Sequence, residues 1–309
     1  MTIAAATFPG QGAQVVGMGK DVCERFPVAA DTFAQADQAL GFELSRLCFE
    51  GPAERLNATD VQQPAIFVTS VALYRAAVDA GRVRPGQFAA CAGLSLGEYT
   101  ALHVADALPF PDALRLVYRR GALMQQACER SPGGMVSLMG MDEAAVLALC
   151  ERVAEHGRVG PANFNCPGQI VISGDARACE AAAALAERFD GKALALKVAG
   201  AFHSELMRPA AEALREELAR ADIRTPRVRV VSNVDAEYHA DPEAIRESLY
   251  RQVFNPVRWQ ACVQRLIGDG VETFWEIGPG RVLSGLLRKI DRGRRAINVG
   301  VAADLDAAA

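Results

Sequence analysis

Apolar residues recur at helical spacing over 31–40, 64–80 and 111–128, and gather into short runs over 3–7 and 88–92. The first pattern predicts helices and the second buried strands. Residues 96–105 carry good helix formers with an apolar stripe through Leu96, Tyr99 and Leu102. Beyond residue 130 the rhythm changes. A strand is expected over 134–139, and a helix with an acidic start over 142–156. Two short strands follow, 160–164 and 169–173, joined by a turn containing Asn165-Cys166-Pro167-Gly168. Asp175 is a candidate cap for a helix over 176–189, and 192–198 reads as a strand. That order, β-α-β-β-α-β, is the ferredoxin-like arrangement. The pattern then returns to α/β, with helices over 204–218 and 259–268 and strands over 228–231 and 273–277. The chain therefore divides into a discontinuous large domain, 1–130 plus 199–309, and an inserted small domain, 131–198. No internal repeat or low-complexity linker is visible, and the tail 307–309 is expected to fray.

Composition narrows the class. The 309 residues are 50% apolar and 23% charged, as in an ordinary globular protein able to bury a substantial core. No apolar run approaches the ~20 residues needed to cross a bilayer, and residues 1–8 lack the pattern of a secretory signal. The 8 cysteines include no C-x-x-C pair or metal-like cluster. They read as buried free thiols in a reducing compartment. A net charge of −4 argues against a general nucleic-acid binder. These features point to a cytoplasmic enzyme with no metal and no membrane association.

The chemistry centres on Gly93-Leu94-Ser95-Leu96-Gly97. A strand before this G-x-S-x-G pentapeptide and a helix after it make Ser95 a candidate nucleophile. The turn needs glycine's backbone freedom, and the helix N-terminus favours developing negative charge. A serine needs a base, and the chain has only 4 histidines. His103 lies two helical turns beyond Ser95. His156 sits at a helix end, where it would cap carbonyls, and His239 falls in a polar turn-like segment as a solvated loop residue. His203 occupies a strand-to-helix junction, where sites occur in parallel α/β sheets. It is the candidate base.

These features, with Phe8-Pro9-Gly10-Gln11-Gly12-Ala13-Gln14, Tyr118-Arg119-Arg120-Gly121, Asn163 to Gln169, Ala201-Phe202-His203-Ser204, Asn255-Pro256-Val257-Arg258-Trp259 and Glu276-Ile277-Gly278-Pro279-Gly280, give a chain that resembles the malonyl-CoA:acyl-carrier-protein transacylases of fatty-acid synthesis and related polyketide acyltransferases. The resemblance covers almost the whole chain. It implies an α/β-hydrolase-like core with a ferredoxin-like insertion. It also implies that Ser95 carries the acyl group as an ester and that His203 acts as base and then acid. The match assigns the backbone carbonyl of Gln252 to orienting His203, and the N–H groups of Gln11 and Leu96 to an oxyanion hole. Arg120 would clamp the malonyl carboxylate with paired hydrogen bonds. Its neighbour Arg119 points roughly 100° away around the helix. Asn165 would help shape the site, and Phe202 would crowd an α-methyl group, favouring malonyl.

One position departs from the pattern: the family commonly has histidine before the nucleophile, and this chain has Leu94. The resemblance implies malonyl-CoA as substrate, an acyl carrier protein as partner, no cofactor, and a monomer. A thioester hydrolase editing carrier-bound acyl groups, or a non-catalytic carrier-docking module, are the competing readings. Carrier proteins are generally acidic, so docking needs a local basic surface. Lys192, Lys197 and the cluster Arg288, Lys289, Arg292, Arg294 and Arg295 are candidates, although the same charges could form a solvated helix face.

Overall fold

The computed structural model describes residues 3–306; residues 1–2 and the tail at 307–309 lie outside it. Nine strands form two sheets among the described residues: β1 (Ala4–Phe8), β2 (Phe88–Gly93), β3 (Gly133–Met139), β4 (Val159–Cys166), β5 (Gln169–Asp175), β6 (Lys192–Ala195), β7 (Arg229–Val230), β8 (Thr273–Ile277) and β9 (Arg295–Val299). The larger sheet runs β7-β2-β1-β8-β9 with every neighbouring pair parallel. Its central strands are nearly fully buried, which is why they read as continuous apolar runs. The smaller sheet, β4-β5-β3-β6, is antiparallel throughout.

The helix Thr59–Asp79 is buried around most of its circumference and packs against the helices Pro27–Leu40 and Phe110–Arg130. It begins five residues before the expected start. Pro64 lies inside it, and the preceding turn is held by the burial of Val61, Gln62 and Gln63. The helix Phe110–Arg130 instead buries one stripe, including Ala113, Val117, Arg120 and Met124, at spacings of three and four. A charged residue thus rides on an apolar face.

Other boundaries moved. The helix expected from residue 204 starts at Arg208, because Ser204 first caps a 3-10 turn over Glu205–Met207. The helix expected over 142–156 ends at Arg152 and gives way to a 3-10 turn. Asp175 does not cap the helix Ala176–Leu185: its Oδ2 accepts the Arg158 backbone N–H at 2.7 Å, tying β5 to the start of β4. The short helices Lys20–Arg25, Leu44–Glu50 and Ala53–Leu56, the helices Pro242–Gln252 and Val282–Ile290, and β9 were not anticipated.

The two sheets are stitched together. Val257 pairs with Asn163 of β4, its N–H donating to Ala162 and its carbonyl accepting from Phe164, both at 2.9 Å. The next residue, Arg258, donates its N–H to the Asn233 carbonyl at 2.8 Å.

Candidate active site

Ser95 stands between the end of β2 and the helix Gly97–Val104, with a left-handed φ of 52°. Few non-glycine residues hold that conformation without support. Here the support comes from Asn233, whose Oδ1 accepts the Ser95 N–H at 2.6 Å while its Nδ2 donates to the Gly93 carbonyl at 2.8 Å. The turn also presses against the end of β1. A Cβ on Gly97 would lie 2.2 Å from the Phe8 carbonyl oxygen, so only glycine fits. The same contact brings the Gly10-Gln11 loop alongside Leu94, where a Cβ on Gly10 would lie 2.3 Å from the Leu94 carbonyl oxygen.

His203 reaches Ser95 from the segment after β6, also with a left-handed φ, 57°. Its Nε2 lies 2.8 Å from Ser95 Oγ, and its Nδ1 lies 2.8 Å from the Gln252 carbonyl oxygen. A carbonyl can only accept, so Nδ1 carries the proton and Nε2 is free to take one from the serine. Burial first, and then the Arg120 charge, push the imidazole down to about 4. At neutral pH the ring is an uncharged base.

Arg120 is 1% exposed. Its Nη1 donates to Gln63 Oε1 at 2.7 Å, and its Nη2 donates to Ser95 Oγ at 2.9 Å and to Gln252 Oε1 at 3.0 Å. Burial lowers its pKa, partly offset by Tyr99 and Glu98. Arg119 turns outward to Glu217 at 3.2 Å, so the two neighbouring arginines divide as helical geometry requires.

A cavity of about 220 Å³ opens onto Ser95 and His203, with Arg120 behind Ser95 and outside the lining. Gln11, Leu94, Ser95, Asn165, Phe202 and His203 line it, and Val282 and Leu286 close another side. The backbone N–H groups of Gln11 and Leu96 make no hydrogen bond among the described residues. Phe202 is buried in the wall at 4% exposure. Leu94 packs partly against the Val257 and Trp259 cluster, so the departure from histidine leaves an apolar cavity wall.

The remaining histidines stand apart from Ser95. His103 Nδ1 donates to the Leu108 carbonyl oxygen at 2.9 Å, and its ring packs against the Phe67 and Phe110 rings. His156 lies in a 3-10 turn, 3.6 Å from Glu155, and caps no carbonyl. His239 is not a solvated loop residue. The segment after β7 folds back through a Val231–Tyr238 bridge and buries the ring, with Nε2 2.9 Å from Glu98 Oε1. Glu98 is fully buried, and its Oε2 accepts from Gln252 Nε2 at 2.7 Å and from the Asn233 N–H at 3.0 Å.

Glu98, Asn233 and Gln63 were missed from the sequence. Glu98 left a usable signal, a carboxylate in the first turn of the helix that follows Ser95. Asn233 and Gln63 left none, since only tertiary folding brings them near. The basic cluster also divides: Arg288 and Lys289 end the helix Val282–Ile290, while Arg294 is paired with Asp291 at 2.9 Å. Lys289 Nζ donates to Gln169 Oε1 at 3.0 Å, on the cavity rim. Among the described residues no cluster of metal-ligating side chains occurs, and no helix is long and apolar enough to cross a membrane.

The chain is similar to known proteins over nearly its whole length. The malonyl CoA-acyl carrier protein transacylase of Escherichia coli K12 is 45% identical over 291 residues, 94% of this chain and 93% of its own. The crystal structure of an acyl-carrier-protein S-malonyltransferase from Bartonella henselae superposes with a TM-score of 0.94 at 41% identity, covering 98% of this chain and 97% of that one. A malonyl-transacylase solved in complex with a type II polyketide synthase acyl-carrier protein gives a TM-score of 0.94 at 41% identity, with 98% of each chain covered. The acyl transferase domain family model matches residues 7–303. The chain belongs to the acyl transferase domain family.

Proposed function

We propose that this protein moves a malonyl group from malonyl-CoA to the phosphopantetheine thiol of an acyl carrier protein through an ester on Ser95. The observation that carries this reading is one hydroxyl, Ser95 Oγ, shared by a neutral histidine base at 2.8 Å and a buried guanidinium at 2.9 Å. The base activates the nucleophile; the guanidinium matches the carboxylate of a malonyl group, two bonds from the reacting carbonyl.

Ser95 Oγ attacks the thioester carbonyl as its proton passes to His203 Nε2. The carbon–sulfur bond breaks, and His203 returns that proton to the departing coenzyme A thiolate. The carrier thiol then gives its proton to His203, attacks the ester, and Ser95 regains a proton as it leaves. The Gln252 carbonyl holds the Nδ1 proton throughout. The Gln11 and Leu96 N–H groups face the developing oxyanion, and each such donor is worth ~10²–10³ in rate. Asn165 and Phe202 shape the acyl cavity. No cofactor takes part; coenzyme A enters and leaves with the substrate.

This reading places the reaction between an α/β-hydrolase-like domain, 1–130 plus 199–309, and a ferredoxin-like domain, 131–198. The sharp Ser95 turn supports the first assignment, and the strand order β4-β5-β3-β6 supports the second. The protein is read as a monomer acting in the cytoplasm.

Intact-mass spectrometry after brief malonyl-CoA exposure tests the route. The wild type is expected to gain a malonyl adduct that Ser95→Ala lacks, and carrier protein should remove it as malonyl-carrier. An adduct that decays equally fast without carrier protein would make the enzyme a thioester hydrolase. No adduct and no turnover would rule out malonyl-CoA as substrate.

A further inference from the structure

Arg120 is a buried cation with no ion pair among the described residues; Gln63, Ser95 and Gln252 all meet it with neutral oxygens. A buried charge normally needs a compensating one. The nearby buried carboxylate is Glu98, and a single amide separates the two. Gln252 accepts from Arg120 through Oε1 and donates to Glu98 through Nε2. We propose that Glu98 is a positioning residue that supplies the counter-charge of Arg120 at one remove, through the Gln252 side chain, and so makes the site selective for a carboxylate-bearing acyl group. The inference rests on the reading of Arg120 as the carboxylate clamp.

The indirect connection is what gives the arrangement its use. A carboxylate bonded directly to Arg120 would satisfy it internally and compete with the substrate. Neutral acceptors hold the guanidinium more weakly than a carboxylate does, so an incoming malonyl carboxylate can displace them. Glu98 cannot swing across to become that competitor. His239 holds its Oε1 at 2.9 Å, and the Asn233 N–H and Gln252 Nε2 hold its Oε2 at 3.0 and 2.7 Å. Nor does Glu98 act as a third catalytic group on His203, because the Gln252 carbonyl already occupies Nδ1.

The test compares wild type, Glu98→Gln, Gln252→Met and Arg120→Ala as full-length proteins. Ser95 adduct formation from malonyl-CoA and from acetyl-CoA is followed by intact mass. An uncharged fluorophosphonate reports Ser95–His203 reactivity alone, and thermal unfolding reports folding. Glu98→Gln is expected to lower the malonyl-to-acetyl preference by at least about tenfold, the scale of one charge-assisted hydrogen bond, mainly through KM for malonyl-CoA. Fluorophosphonate labelling should stay within about threefold of wild type, a split that general structural damage does not produce. Gln252→Met removes the amide and with it the Nε2 bond to the Ser95 carbonyl, so its labelling rate is expected to fall; its malonyl-to-acetyl ratio, in which that loss cancels, should drop as in Glu98→Gln and decides the matter if Glu98→Gln does not fold. An unchanged preference in folded variants, or a parallel loss of both reactivities in Glu98→Gln, overturns the proposal. If Arg120→Ala abolishes the preference while the other two retain it, the relay alone falls. If Arg120→Ala retains it, the clamp reading falls and takes this one with it.

Discussion

Ser95 and His203 meet at 2.8 Å from backbones that both hold a left-handed φ, 52° and 57°. Each such non-glycine conformation costs on the order of 1–3 kcal/mol. Both are pinned by residues far away in sequence: Asn233 takes the Ser95 N–H, and the Gln252 carbonyl takes the His203 Nδ1 proton. The pair is thus held in place by its surroundings.

The first consequence is a pH profile. His203 sits at about 4, below the ordinary ~6.5 of an unfolded chain, because of burial and then the Arg120 charge. Acylation should therefore stay level from neutral pH to about 5 and fall only as the ring protonates near 4. Between these two values the unfolded chain binds the extra proton, so the histidine's contribution to stability is full above ~6.5 and declines as pH drops toward 4. Arg120→Ala removes one of the two downward influences and should move the kinetic inflection upward. Stopped acylation assays across this range check both statements.

Asn233→Ala leaves the Ser95 N–H and the Gly93 carbonyl without their buried partner. A destabilisation of about 1–3 kcal/mol is expected, with a loss of Ser95 labelling by a fluorophosphonate under conditions where the protein remains folded. Denaturant titration and labelling rate together check it.

Gly97→Ala forces a methyl group into the Phe8 carbonyl oxygen, 2.2 Å from the added carbon. Backbone cannot yield as a flexible side chain would. The variant should lose more than ~3 kcal/mol, or fail to accumulate as folded protein, whereas Gly285→Ala, with open space at its Cβ, should be tolerated.

Phe202→Ser should widen the acyl cavity toward an α-methyl group, shifting the methylmalonyl-to-malonyl ratio by up to ~1–3 kcal/mol of discrimination. The ring is 4% exposed and belongs to the main core, so a stability loss of about 3–5 kcal/mol should accompany the change. Competition assays with both thioesters, alongside thermal unfolding, separate the two effects.

Arg288 and Arg292 are exposed and make no ion pair among the described residues, and they flank Lys289, which reaches the cavity rim through Gln169. Reversing both charges to Glu should raise KM for an acidic carrier protein severalfold at low salt, and the effect should shrink as salt screens it. KM for malonyl-CoA should hold; an equal rise in both would remove the surface from carrier docking.

Much of this was legible in the chain because the signals were local. The pentapeptide around Ser95 fixes a turn from its own glycines, and elimination among four histidines reaches His203. The β-α-β-β-α-β order of 131–198 reappears as one antiparallel sheet. What escaped was non-local. His239 lies in a polar segment, yet the backward fold through Tyr238 buries it on Glu98. Pro64 hid the first turn of its helix because tertiary burial, not propensity, holds that turn. Asp175 found a backbone donor across the sheet instead of the one its local sequence offered.

The bond pair between Val257 and β4 has a further consequence for traffic through the site. Two main-chain bonds tie the segment at Val257 to β4, so any motion that parted the walls of the cleft along this edge would first have to break them. While they hold, the cavity of about 220 Å³ suits a slender thioester arm, with the bulk of whatever carries it left outside. A small donor and a protein acceptor would present the same thread to Ser95. Exchange of one thread for the next can then proceed with the Val257 seam intact.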